Sequence, residues 1–221
     1  MTVMVTGSGR GIGQVSLATA ASHTKANVQA IAKAFAQAGA SRLVLTARSQ
    51  NELQSTFDSI RNDQHILVAP AILMFPLDIT SDVAVKQMFS DLDAQDWPLE
   101  VLVNNAGHME RCLNIHFSDP TEWWKTWEVN VKGTYLTTHN ALKAKLVSPR
   151  KEPLTIINVS SSAALMVKPG FSAYQCSKSA QTRFTEFIHA EYAHHNVRTF
   201  CFQPGEFCGS IYPVLIEQVG L

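Results

Sequence analysis

Six short apolar runs recur along the chain: TVMVT (2–6), RLVLT (42–46), ILMFPL (72–77), VLVNN (101–105), TIINVS (155–160) and VRTFCF (197–202). No other feature limits the possible folds so sharply. Runs that are apolar at nearly every position, rather than at every second one, read as strands covered on both faces. Between them Ala30–Ala38, Gln50–Asn62, Asp82–Gln95, Thr121–Leu146 and Tyr174–His194 carry apolar residues at helical spacing. Strand–helix alternation of this kind predicts a doubly wound parallel α/β sheet with helices on both faces. The 221 residues contain no Pro/Gly/Ser-rich linker, and a hydrophobic content of 46% supplies one sizeable core, so residues 1–221 are read as a single domain.

Directly after the first strand, TGSGRGIG places Gly7, Gly9, Gly11 and Gly13 in one loop. A tight glycine turn, backbone free to approach a pyrophosphate and a following helix N-terminus form a phosphate cradle. The spacing departs from G-x-G-x-x-G, because Ile12 holds the sixth position, and no Gly-Lys-Ser/Thr follows to make a Walker loop. Past the second strand, where the adenosine ribose of a dinucleotide would lie, the chain reads Thr46-Ala47-Arg48. A carboxylate there would accept the ribose 2′-hydroxyl of NAD; Arg48 and Arg10 suit a 2′-phosphate, which favours NADP over NAD. Two solvated arginines are the alternative reading of the same residues.

FSAYQCSK sets Tyr174 and Lys178 four residues apart, on one face of a helix start. A free phenol titrates near 10, so a phenolate at neutral pH needs about three units of help, or about 4 kcal/mol. A neighbouring ammonium and the positive nicotinamide of an oxidised cofactor are help of the right sign. Taken alone, the pair is equally an ordinary helix face. INVSSSAA adds hydroxyls at the carboxyl end of the fifth strand, where open α/β sheets bind ligands.

Together these motifs resemble the short-chain dehydrogenase/reductase family. TGSGRGIG (6–13) is similar to its T-G-x-x-x-G-x-G loop, Asn104-Asn105-Ala106-Gly107 to its N-N-A-G, and Tyr174 with Lys178 to its Y-x-x-x-K. Ser161, Asn130, Asp78 and Pro204-Gly205 match the family's catalytic serine, its proton-relay asparagine, its adenine-contacting aspartate and the turn after strand six. The resemblance implies a Rossmann fold in which Tyr174 is the general acid/base and Ser161 hydrogen-bonds the reacting oxygen. It implies that Lys178 lowers the tyrosine pKa and binds the nicotinamide ribose, and that Asn130 relays protons. The cofactor site would comprise Gly7, Arg10, Gly11, Ile12, Gly13, Arg48, Asp78, Asn105, Ala106, Gly107, Tyr174, Lys178, Pro204 and Gly205. The implied reaction is NADP(H)-linked interconversion of a small-molecule carbonyl and a secondary alcohol. A homodimer or homotetramer through the long helices 121–146 and 174–194 is a further implication.

Other classes fit poorly. Eighteen basic and eighteen acidic residues cancel, which argues against a nucleic acid or an anionic membrane as partner. The eight histidines form no H-E-x-x-H and no Cys/His cluster, so no metal is expected. Cys112, Cys176, Cys201 and Cys208 contain no C-x-x-C and read as reduced thiols of a cytoplasmic protein. A glycine loop seven residues from the N-terminus leaves no room for a signal peptide. Trp123, Trp124 and Trp127 read as the packed face of a helix, His194-His195 as an exposed helix end, and His108 as a loop filler or a substrate contact.

Two stretches depart from the pattern. Val15–Gln29 separates the glycine loop from the helix that should follow it; removing these fifteen residues joins TGSGRGIGQ to AIAKAFAQAG and brings Gly7 within 25 residues of Ala47. That is close to the roughly 20 residues expected between such a loop and the ribose-reading position. Gln-Val-Ser can be encoded as an exon end and splice donor, Ala-Asn can contain a branch point, and Val-Gln can end in an acceptor. The segment therefore reads as a translated intron of an intron-bearing eukaryote such as a filamentous fungus, with a surface insertion as the alternative. After Pro204-Gly205, residues 206–221 diverge: Gly209 stands where the family has a threonine, and a substrate lid and seventh strand are expected to be missing. A non-catalytic or misassembled dinucleotide-binding relative is accordingly the second functional reading. Transcript reads across the locus should lack the fifteen codons of Val15–Gln29; their retention in every mature message would overturn the intron reading.

Overall fold

The computed structural model describes residues 1–7, 20–148, 152–204 and 214–216. Strands β1 (Thr2–Thr6), β2 (Arg42–Ala47), β3 (Ala71–Pro76), β4 (Val101–Asn104), β5 (Leu154–Val159) and β6 (Val197–Gln203) form one parallel sheet in the order β3-β2-β1-β4-β5-β6. Helices α1 (Ala20–Gln37), α2 (Gln50–Arg61), α3 (Asp82–Ala94), α4 (Pro120–Trp127), α5 (Thr134–Val147) and α6 (Ser172–Tyr192) connect and cover them.

The sheet is apolar on both faces because successive side chains point to opposite sides. Val3, Val5, Leu43, Leu45, Val101 and Val103 pack with Ala32, Ala36, Leu53 and Ile60 of α1 and α2. The residues between them, Met4, Val44 and Leu102, enter a second core with Val85 and Met88 of α3, Leu136 and Ala141 of α5 and Ile188 of α6. Each two-sided strand thus contributes to both cores, which is why its sequence lacks polar alternation.

The doubly wound parallel sheet agrees with the sequence reading, and the six strand boundaries fall within one residue of it. Three features differ. A seventh strand, β7 (Val214–Ile216), pairs antiparallel with β6, with Phe202 opposite Leu215. The expectation of a missing seventh strand is corrected to a three-residue one: an apolar Val-Leu-Ile segment satisfies part of the otherwise open edge of β6. Helix α1 begins at Ala20 rather than Ala30, so part of Val15–Gln29 is helical. AASHTKANVQ contains neither Gly nor Pro and several good helix formers, so nothing local stops the helix at Ala30. Finally, the single helix expected over Thr121–Leu146 is divided by a π-helical turn at Glu128–Gly133.

A buried amide network crosses the second core. Asn104 Nδ2 donates to Thr138 Oγ1 (3.0 Å) and to Asn158 Oδ1 (2.8 Å), while its Oδ1 accepts from Thr137 Oγ1 (2.7 Å). Asn158 Nδ2 continues to Thr185 Oγ1 at 2.9 Å. This chain registers β4, β5, α5 and α6 against one another. Asn104→Ala strands at least two buried partners, and urea denaturation should show a loss of about 3 kcal/mol, since each orphaned buried group costs about 1–3 kcal/mol.

Candidate active site

Strand order reverses between β1 and β4, so the connections leaving their carboxyl ends part and open a crevice. The end of β1 organises it. Thr6 Oγ1 accepts from Asn105 N (3.1 Å) and Ala106 N (3.2 Å) and lies 3.3 Å from Val103 O, while Asn105 Nδ2 donates to Thr6 O (3.2 Å). Gly7 N donates to Thr46 O at 2.8 Å. The Asn105-Ala106-Gly107 turn is thereby stitched to the first strand. Gly7, Arg48, Asp78, Ala106, Gly107 and His108 line one cleft there. Arg48 is exposed at its mouth, and Asp78 Oδ1 accepts from Thr80 N (2.9 Å) and Thr80 Oγ1 (2.8 Å). Arg10, Gly11, Ile12, Gly13 and Gly205 lie outside the described residues; Pro204 follows β6 directly.

The π-helical turn carries Asn130, which is fully buried. Its Oδ1 accepts from His108 N (2.7 Å), and its Nδ2 donates to His108 O (2.8 Å) and Ser177 Oγ (2.9 Å). One extra residue in the turn widens the helix at this point, a device common at functional sites. Gly133 ends the turn against Ile79; a Cβ there would come within 2.5 Å of Ile79 Cδ1. Gly107 lies between the two candidate polar groups; a Cβ on it would stand 3.6 Å from Asn130 Oδ1 and 3.8 Å from Lys178 Nζ.

Tyr174 and Lys178 sit on the first turns of α6, with the Lys178 ammonium 5.7 Å from the Tyr174 ring centroid. Ser161 caps the short turn Ser162–Leu165 by accepting from Ala163 N (3.2 Å), and its side chain also hydrogen-bonds Tyr174. Burial pushes the Tyr174 phenol up; the Ser161 hydrogen bond opposes the rise, and the Glu110 charge adds to it. Lys178 Nζ donates to Val159 O and Gln181 Oε1, both at 2.8 Å. Burial lowers the Lys178 ammonium itself to about 8, with Cys201 opposing the shift.

Glu110 was not singled out from the sequence. It is 5% exposed; Oε1 accepts from Ala173 N (2.9 Å) and Tyr174 N (3.1 Å), and Oε2 accepts from Thr126 Oγ1 (3.3 Å). No sequence signal marks a helix cap delivered from a loop more than sixty residues away. His108, which lines the cleft, is buried with Nε2 standing 3.5 Å from Glu122 Oε2, and burial lowers its pKa. Of the tryptophans read as packed, Trp123 donates to Ser172 Oγ (3.0 Å) and stacks on Trp127, whereas Trp124 is 60% exposed. Trp124 faces outward beside the apolar groove of Trp127, Val131, Tyr135 and Phe184, which is why it is not packed within the chain. Among the described residues no three His, Cys, Asp or Glu side chains form a cluster able to hold a metal, and no helix is long and apolar enough to cross a membrane.

Lys178 has a pH signature. The unfolded chain keeps its proton to about 10.5 and the folded chain releases it near 8, so the unfolded state binds more protons between these values and stability rises with pH across that window. The unfolding free energy of wild type relative to Lys178→Met should therefore increase from about pH 8 to about pH 10. A difference that stays flat in paired urea titrations would refute the assignment.

The chain matches the family model of short chain dehydrogenases over residues 1–210. It is similar to the short chain dehydrogenase mpl6 of Monascus purpureus, with 38% identity over 205 residues, covering 92% of this chain and 63% of that protein. It is also similar to the short chain dehydrogenase tazN of Aspergillus terreus, with 34% identity over 203 residues, covering 92% of this chain and 40% of that one. The chain thus spans less than two thirds of the length of these relatives. Among solved structures, 3-ketoacyl-(acyl-carrier-protein) reductase from Brucella melitensis complexed with NADH superposes with a TM-score of 0.74 at 22% identity, covering 92% of this chain and 74% of that one. Gluconate 5-dehydrogenase from Burkholderia cenocepacia in complex with NADP and tartrate gives 0.75 at 22% identity, covering 93% and 71%. These two likenesses establish a common fold. With the family model spanning nearly the whole chain, and with the Monascus relative alongside it, the protein belongs to the short-chain dehydrogenase family.

Proposed function

We propose that this protein is an NADP(H)-dependent oxidoreductase that interconverts a carbonyl and a secondary alcohol. The observation that carries the reading is the convergence of Ser161, Tyr174, Lys178 and Asn130 beside the crevice at the reversal of strand order. Gly7, Asp78 and the Asn105–Gly107 turn line or border the cleft at the reversal of strand order, where open α/β sheets bind dinucleotides. The sequence of β2, Arg42–Ala47, ends without an Asp or Glu and Arg48 follows at the cleft, which supports a 2′-phosphate and hence NADP over NAD. Bound NADP(H) would supply the hydride.

The chain's own residues supply position and a proton. A phenol held protonated by burial is the form that donates to the carbonyl oxygen during reduction. Ser161, hydrogen-bonded to Tyr174, directs a second donor at the same oxygen. In this reading the Lys178 ammonium, hydrogen-bonded to Val159 O and Gln181, would bind the nicotinamide ribose, and the buried Asn130 would support a proton relay. The partner is a small molecule. Trp124 and Tyr135, 60% and 48% exposed along one apolar groove, support pairing of two copies through α4 and α5, as a homodimer or homotetramer. The three described cysteines are free, which suits a cytoplasmic protein.

A second reading, a dinucleotide-binding relative without turnover, draws on one observation: fifteen residues interrupt the chain directly after the glycine loop. Two measurements separate the readings. Wild type should bind NADPH saturably and reduce diketone or quinone probes with it, preferring NADPH to NADH by about tenfold. Tyr174→Phe should lower kcat/KM by about a thousandfold, within the range ascribed to a positioned proton donor. Saturable NADPH binding without turnover favours the second reading; full turnover by Tyr174→Phe would overturn the proton-transfer assignment.

A further inference from the structure

The loop after β4 meets the start of α6 along a line of contacts that the proposed chemistry leaves unexplained. Leu113 N donates to Gly170 O at 3.1 Å. Gly170 has φ +89°, and a Cβ on it would come within 2.6 Å of Cys112 Sγ, so this approach is open only to glycine. Trp123 Nε1 donates to Ser172 Oγ at 3.0 Å. Between these two contacts the Glu110 side chain reaches the helix end and takes the amides of Ala173 and Tyr174 on a single oxygen, while Thr126 donates to the other.

Helix α6 needs such help. Phe171, which precedes it, offers no side-chain cap, and its first turn contains no acidic residue. The first amides of a helix lack partners within it and draw negative charge toward them. A carboxylate 5% exposed and accepting three bonds satisfies both demands from outside the helix.

We propose that Glu110 is a positioning residue: its carboxylate caps α6 from the loop after β4 and holds Tyr174 at the height where its hydroxyl meets Ser161. The inference rests on Tyr174 being the proton-transfer group, and it adds a residue that acts through that tyrosine's backbone. Two consequences are separable. The cap orders the Ala173 and Tyr174 amides, and its negative charge opposes ionisation of the nearby phenol. Glu110 therefore trades some acidity of the phenol for a fixed position.

Two readouts on the full chain test this, neither of which needs cofactor or turnover. In Glu110→Ala, hydrogen exchange at the Ala173 and Tyr174 amides should quicken by about tenfold or more, while Ile156 at the centre of β5 keeps its wild-type protection. In Glu110→Gln, which retains size and one acceptor oxygen, the phenolate absorbance of Tyr174, isolated by subtracting Tyr174→Phe, should appear at lower pH than in wild type. Unchanged exchange at both amides, an equal loss at Ile156, or an unmoved phenol titration would each overturn the proposal. Should Glu110→Ala not fold, the Glu110→Gln titration alone decides. If Tyr174→Phe keeps full turnover, the proton-transfer reading falls while the cap, read by exchange, stands or fails by itself.

Discussion

Asn130 binds both backbone groups of His108 with one side-chain amide and gives its remaining proton to Ser177. The rest of the site depends on this junction. Burial of apolar surface stacks helices on a sheet but does not by itself set their register, since dispersion and the hydrophobic effect are non-directional. A buried amide with each lone pair and proton assigned does set it, because a shift of an ångström or two would leave polar groups unpaired at a cost of about 1–3 kcal/mol each. Through Asn130 the turn after β4, the π-helical segment and α6 become one body. The Asn104–Asn158 chain does the same one layer deeper.

The electrostatic setting follows from that packing. Tyr174 and Lys178 both sit where water is scarce, and both are displaced toward their neutral forms: the phenol upward, the ammonium downward to about 8. Desolvation disfavours charge of either sign, so the same burial moves the two groups' pKa values in opposite directions and drives them apart. Burial acts first on both groups; on the phenol the Ser161 hydrogen bond opposes that shift and the Glu110 charge adds to it, while Lys178 Nζ donates to Val159 O and Gln181 Oε1.

Much of this architecture was legible in the linear chain. Strand boundaries could be read because two-sided burial demands apolar runs, and the helix of Tyr174 could be read because apolar residues recur at its period. The N-N-A-G turn and the Tyr–Lys pair pointed to the crevice through their resemblance to a family pattern; alone, the pair reads equally as an ordinary helix face. Three features escaped. Glu110 caps a helix in which it has no part, the π-helical turn answers to contacts of Asn130 rather than to propensity, and the extension of α1 to Ala20 meets no local stop signal.

The dividing line is the range of the interaction. By itself the sequence determined the alternation of strands and helices, the position of the glycine turn and the placement of the tyrosine one turn from the lysine, since these express periodicity and backbone sterics over a few residues. Only the tertiary structure decided that His108 is held by Asn130, that Glu110 caps the amides of Ala173 and Tyr174, and that Lys178 donates to Val159 O. Those outcomes arise from hydrogen bonds and desolvation among residues 19 to 64 positions apart, and no local pattern encodes them.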